Sequence, residues 1–433
     1  MTNDLISLLG FAALFVLMAL RVPVGIAMGF VGVIGYGIVS GFGPAMRQLA
    51  QSPFSTLTDF NFSVIPMFVL MGAFASAGGM SRELFRASTA WFGHLRGGTA
   101  IAAIAACGGF AAINGSSVAT AATMTQVAMP ELDKEGYDRG FAAGMIAAGG
   151  TLGIMIPPST IFVLYGIMTD TDITELFISG IIPGILGMLM YMVVIRLVAV
   201  YRPAFIPAGI ARPWAERISS LKDIWATLLL FGFVIGGMQG GLFTPTEAAS
   251  TGAIGAFLIG LARGRLNRAS IIAALVTSLR TIATVFAIVV GAFLFGYFLT
   301  VTGTTQKLVD FLVNLPVGAY GVLALILLMY LALGAIMDEL AMILLTVPIV
   351  FPAMMQLGFD PIWFGVIIVM TVTLGMIVPP VGMNVFVINS IRRDIGVATI
   401  YRGVTPFIIS DLIRLFILCA FPALATWLPK LAG

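Results

Sequence analysis

Hydrophobic positions in this chain come as long unbroken runs, separated by short patches of Gly, Pro, Ser and Asn. Runs at 5–20, 24–39, 65–77, 176–197, 225–238, 248–261, 282–300 and 406–428 approach or reach the ~20 residues a helix needs to cross a bilayer. They predict an all-α polytopic membrane protein. Two amphipathic stretches, 81–92 and 305–314, are each followed by a pair of apolar arms, 98–113 with 118–131 and 318–336 with 340–355. Arms of about 14 to 19 residues are short for a crossing, so each pair is expected to turn back at depth as a re-entrant hairpin.

The segment Thr151-Leu-Gly-Ile-Met-Ile-Pro157-Pro158 returns 222 residues later as Thr373-Leu-Gly-Met-Ile-Val-Pro379-Pro380. A proline removes a backbone donor and its ring crowds the preceding turn, so a double proline beside glycine interrupts a helix. The same offset lays Pro23 on Pro245, Pro130 on Pro352, Gly136 on Gly358, Tyr137 on Phe359 and Asp138 on Asp360. Duplication is the economical explanation, with one repeat over 1–222 and the other over 223–433. Broken helices at equivalent places in two halves point to the binding site of a transporter.

Composition agrees: 60% hydrophobic residues, 9% charged residues and a mean hydropathy of +1.08 exclude a soluble domain of this length. The bilayer is the chain's first partner, and the net charge of +3 carries no implication of nucleic acid. With the amino terminus outside, 18 of the 22 Lys+Arg fall on the inner side or its adjoining helix ends, among them Arg82, Arg86, Lys134, Arg139, Arg263, Arg268, Arg392 and the linker 201–222. Repeat one then begins outside and ends inside, so repeat two is inverted. The first hairpin is expected to enter from the cytoplasm beside His94 and Arg96, the second from outside beside Lys307 and Asp310. No basic residue precedes the first run, which is therefore expected to be retained and not cleaved. Cys107 and Cys419 are isolated and are expected to be small buried hydrophobes.

In lipid, irregular backbone is tolerated only where it is buried in protein or lines a watery cavity. The hairpin tips, Asn114-Gly115-Ser116-Ser117 and Met337-Asp338-Glu339, are thus expected to face the breaks at 153–159 and 375–382. A helix ending at a break leaves carbonyls that attract a cation, and a helix restarting offers amides to an anion. The candidate cation ligands are Gly153, Ile156 and Pro158, with Gly375, Val378 and Val381, joined by Asn114, Ser116, Met337 and Asp338 at the tips. Hard oxygens without thiol or imidazole suit an alkali ion. The candidate substrate contacts are Ser116, Ser117, Ser159, Asp338, Glu339, Gly382 and Asn384.

No Lys or Arg lies in either hairpin, so an anionic substrate would be stabilised by co-bound cations and helix dipoles, which favours symport. Asp338 and Glu339 each cost ~2.5–3.5 kcal/mol at mid-membrane, so one is expected to hold the cation unless the pair caps the following helix. Adjacent side chains diverge, and the two are not expected to meet one ligand. Asp411 and Arg414, three apart, are expected to pair, and Glu247 to cap a helix. A nucleotide-driven pump lacks its Gly-rich loop ending in Gly-Lys-Ser/Thr. An intramembrane hydrolase lacks a base beside Ser116, the sole histidine, His94, lying at an interface. A passive channel would be excluded by saturable, sodium-dependent uptake.

The chain resembles the large membrane (M-type, DctM-like) subunit of the tripartite ATP-independent periplasmic (TRAP) transporters. The residues that carry the resemblance are Gly93-His94-Leu95-Arg96-Gly97-Gly98, the tip at 114–117, Gly136-Tyr137-Asp138, 151–159, Gly241-Leu-Phe-Thr-Pro245-Thr-Glu247, Met337-Asp338 and 373–382. The resemblance implies a sodium-driven importer of a small organic acid in the bacterial inner membrane, with no cofactor and no enzymatic activity. It implies a periplasmic binding protein and a small (Q-type) membrane subunit as partners. A related carrier that works without a binding protein is the alternative. It also implies an elevator, with scaffold helices at 1–78, 174–200, 223–302 and 403–433 and transport elements at 79–172 and 303–402, joined by the cytoplasmic linker 201–222. The chain departs from the family's usual pattern at Asn114, Ser117 and Thr120 in the first tip, and at Glu339, where a proline or small residue is more usual.

Overall fold

A computed structural model describes residues 2–209 and 213–432, which are helical with no strand among the described residues. The first half comprises α1 (Asn3–Ala19), α2 (Val24–Ser40), α3 (Phe42–Thr58), α4 (Val64–Ala77), α5 (Met80–Phe92), α6 (Gly98–Asn114), α7 (Ser117–Lys134), α8 (Arg139–Met155), α9 (Thr160–Thr169) and α10 (Ile173–Tyr201). The second comprises α11 (Trp214–Asp223), α12 (Trp225–Gln239), α13 (Pro245–Ala262), α14 (Arg268–Val301), α15 (Thr304–Val313), α16 (Gly318–Gly334), α17 (Glu339–Gln356), α18 (Pro361–Gly375), α19 (Met383–Ile391), α20 (Val397–Ala420) and α21 (Ala423–Ala432). Displaced by the same 222 positions, α7 falls on α17 end for end, and α6, α8, α9 and α10 fall on α16, α18, α19 and α20.

Local chemistry explains the ends. Asp138 starts α8 by accepting the Phe141 amide at 2.8 Å, and its duplicate Asp360 starts α18 by accepting the Trp363 amide at 2.9 Å. Glu247 closes a capping box with Thr244, with Pro245 in the first turn of α13. Five of the described helical segments are long and apolar enough to cross a membrane, or seven when the bent pairs α8–α9 (41°) and α11–α12 (48°) each count as one. Side chains such as Leu189, Val193 and Leu197 stay half exposed along one face of α10, as a lipid-facing surface would.

The helices pack as two bodies. In the first, α2 lies on α14 and α4 on α13; in the second, α8 lies on α20, α18 on α10, α7 on α19 and α17 on α9. Each of these contacts has a counterpart with the halves exchanged, as two-fold-related duplicates would have. The first body comprises α1–α4 and α12–α14, and the second α6–α10 and α16–α21. Helices α5, α11 and α15 run between them, and the bodies meet where α4 touches α6 and α14 touches α17. Small residues set the second body's packing distance: a Cβ on Gly403 of α20 would stand 1.9 Å from the Gly140 carbonyl oxygen of α8. Behind that crossing, fully buried Arg414 pairs with Asp411 at 2.9 Å, and Tyr191 donates to Asp411 at 2.6 Å.

Several expectations change. The run 406–428 is not one span: α20 ends at Ala420 and α21 begins after Pro422, whose ring cannot continue the helix. Residues 42–58, not expected as an element, form α3, whose duplicate is the first half of α14, continuous over 34 residues. The linker contains a helix, α11, packed on α5. The segments 174–200 and 403–433, expected to belong with the scaffold, pack on each other and on α6, α8, α9, α18 and α19.

Ion pairs respect the expected sides. Glu83 binds Arg263 at 2.7 and 2.8 Å, Arg86 faces Asp223 at 3.9 Å, and Asp133 binds Arg392 at 2.7 Å, all between groups assigned to the inside. Lys307 pairs with Asp4, both assigned to the outside.

Candidate functional site

Each hairpin tip is seated against the break of its own half. At tip one, Gly115 adopts φ +63°, and a Cβ there would stand 2.7 Å from the Pro158 carbonyl oxygen, so glycine is required twice over. Its carbonyl accepts the Thr160 hydroxyl at 3.1 Å. Ser116 caps α7 through the Ala119 amide at 3.4 Å, and Ser159 caps α9 through the Phe162 amide at 3.3 Å. At tip two, Asp338 caps α17 by accepting the amides of Leu340 and Ala341 at 3.0 and 3.1 Å. The Ala335 carbonyl accepts the Val381 amide at 3.1 Å, and Gly334 crosses Gly375 so closely that a Cβ on either would lie within 3.0 Å of the other's Cα. Both proline doublets have cis bonds.

At the site itself, one side chain ties the second break to the first hairpin. Asn384, fully buried at the start of α19, donates from Nδ2 to the Ser117 hydroxyl at 2.7 Å and to the Ala147 carbonyl at 3.0 Å, while its Oδ1 has no partner. The backbone oxygens at the breaks are partly engaged: Val381 accepts the Tyr401 hydroxyl at 2.6 Å, Gly375 the Val378 amide at 3.3 Å and Met376 the Asn384 amide at 3.2 Å. Each carbonyl keeps a second lone pair. Gly153 of α8 lies so close to α7 that a Cβ would meet the Ser116 carbonyl oxygen at 2.6 Å and Thr120 Oγ1 at 2.8 Å.

Between the two bodies lies a cavity of about 800 Å³. The second body presents Asn114, Ser116, Asp338, Glu339, Met376 and Met383 to it. Asp338 and Glu339, expected to diverge, both border it. Ser117, Ser159, Gly382 and Asn384, expected at the substrate, do not; the three polar ones are fully buried and brace the tips and breaks instead. Met337 is buried as well. The first body's wall was not anticipated. It consists of Gly72, Ala73 and Ser76 of α4 and the hydroxyl face Ser270, Thr277, Ser278, Thr281 and Thr284 of α14. Ser270, Thr277, Thr281 and Thr284 recur at steps of seven, four and three residues along one helical face, with Ser278 beside them, a signal present in the sequence.

The family model for the DctM component of the tripartite ATP-independent periplasmic transporters matches residues 11–424. The chain belongs to that family. Over 391 residues it is 38% identical to the C4-dicarboxylate TRAP transporter large permease protein DctM of Pseudomonas aeruginosa, covering 90% of this chain and 91% of that one. It is 31% identical to the sialic acid TRAP transporter large permease protein SiaM of Vibrio cholerae, covering 94% and 95%. The solved structure of the YdaH transporter of Alcanivorax borkumensis is similar with a TM-score of 0.61 over 88% of this chain and 89% of that one. At 16% identity this is a likeness of fold. This TRAP large permease is therefore a multi-pass transport protein and not an enzyme.

Proposed function

We propose that this permease imports a small organic carboxylate across the bacterial inner membrane by sodium-coupled symport, receiving it from a periplasmic binding protein and working beside a small membrane subunit. The observation that carries the proposal is the cavity of about 800 Å³ bounded by both hairpin tips on one side and by α4 and α14 on the other. A site walled by two bodies changes its access when one body slides past the other. The moving body is α6–α10 with α16–α21, the fixed one α1–α4 with α12–α14, and α5, α11 and α15 are the connecting arms. Helices α10 and α20 ride with the hairpins. The halves are inverted, a reading supported by ion pairs that, among the described residues, join groups assigned to the same side.

Sodium is held by oxygens alone. Near the first break the donors are Asn114 Oδ1, Ser116 and the backbone at Gly153, Ile156 and Pro158; near the second they are Met337, Asp338 and the backbone at Gly375, Val378 and Val381. The unpartnered Oδ1 of Asn384 stands beside the second break as a further acceptor. Cations there offset the charge of a carboxylate that meets no basic side chain. Uptake by the chain reconstituted with its two partners tests the proposal: accumulation is expected to require an inward sodium gradient, and Ser116→Ala to weaken it without loss of insertion. Equal uptake with the gradient collapsed would refute the coupling.

A further inference from the structure

Two carboxylic acids border the cavity and, among the described residues lining it, no Lys, Arg or His does. Asp338 is compensated. Its Oδ1 accepts two amides at the positive end of α17, and it also borders an adjoining cleft of about 470 Å³ that Arg21 lines. Glu339 is not compensated. It is 7% exposed, and its Oε2 is enclosed without a hydrogen-bond partner. As a carboxylate, a side chain so removed from water is costly unless a cation arrives to pair with it. On the opposite wall, Ser278 is 1% exposed with its Oγ likewise unpartnered, within the hydroxyl face of α14.

Building on the reading of this chain as a carboxylate importer, we propose that its cargo carries a positively charged N–H group beside the carboxylate, and that Glu339 receives that group. The substrate class is then a zwitterionic amino or amidine acid. A second carboxylate in the same place would add its charge to those of Asp338 and Glu339, all of it left to the co-bound sodium because no basic side chain is among the described lining residues, whereas a cationic N–H group supplies its own compensation. Quaternary ammonium groups are recognised by aromatic cages, and Phe110 is the one aromatic ring among the described lining residues. An ammonium or amidinium instead directs N–H donors at Glu339 Oε2 and at the hydroxyl oxygens of α14.

The test is sodium-driven uptake by the complete transporter in proteoliposomes, with succinate and 4-aminobutyrate as a matched four-carbon pair and a panel of larger amino and cyclic amidine acids. Wild type is expected to accumulate a zwitterionic probe in preference to succinate. Glu339→Gln is expected to raise the KM for that probe roughly 30-fold, the scale of loss when one partner of a buried charge pair is neutralised, with sodium dependence unchanged. Glu339→Asp recovers part of the loss, which separates charge from packing, and the melting temperature of Glu339→Gln stays at or above wild type. Preference for succinate, or a Glu339→Gln defect that rising sodium repairs while cargo KM is unchanged, overturns the proposal and makes Glu339 a coupling-ion ligand. Zwitterion uptake that depends on Glu339 but not on sodium supports the proposal and refutes the coupling alone.

Discussion

Gly72 of α4 packs directly against the first hairpin tip. A Cβ there would stand 2.6 Å from Asn114 Oδ1, 3.0 Å from its Cα and 3.3 Å from its carbonyl oxygen. The amide can swing aside; the Cα, at a tip whose Gly115 is seated on the Pro158 carbonyl, cannot. Against an ordinary contact of ~3.5–4.0 Å, Gly72→Ala demands a separation of roughly 0.5–1 Å, and Gly72→Val more. Overpacking of this kind costs about 1–3 kcal/mol. Each 1.4 kcal/mol is tenfold, so the arrangement with tip one against α4 should lose roughly 5- to 150-fold in population. Because the strain lies between two bodies and not within either, the melting temperature should fall only slightly. Uptake in proteoliposomes should fall in the order Gly72, Gly72→Ala, Gly72→Val, and modification of a cysteine placed at Thr277 by a water-soluble maleimide should slow at least roughly fivefold. Unchanged uptake and labelling in Gly72→Val would show that the tip does not approach α4 in the working protein. Collapse of the fold would show that the contact is structural.

At the surface, the Arg392 guanidinium holds the Asp394 carboxyl down at about 2, below its ordinary 3.8. The folded value is depressed, so the stabilisation is complete above about pH 4 and is lost as pH falls towards about 2. Asp394→Asn is expected to lower the melting temperature by a constant offset from pH 7 to about pH 4, shrinking towards pH 2; an offset still full at pH 2.5 would exclude the charge pair as its source. Single cysteines replacing Lys134 and Lys307 are expected to react with impermeant maleimide from opposite sides of the membrane, and same-side labelling would refute inversion.

What the sequence determined by itself is whatever short-range backbone chemistry dictates. Hydrophobic runs mark helices, proline doublets break them, Asp138 and Asp360 cap them, and Asp411 meets Arg414 because three residues along a helix bring side chains together. The 222-residue repeat likewise lays α7 on α17. Other features are decided by which surfaces dock. Asn384 and Ser117 share a hydrogen bond across 267 positions, and no local rule distinguishes that bracing role from a substrate contact. The hydroxyl face of α14 has the spacing of any helical stripe; only packing against α4 and α17 turns it towards a cavity and away from lipid. Asp338 and Glu339 are neighbours of the same chemistry, yet one step around the helix start makes the first a satisfied cap and leaves the second unpaired. Helix formation depends on neighbours in the chain, whereas partnership depends on the orientation in which finished helices meet, and a carboxylate's role changes with that orientation.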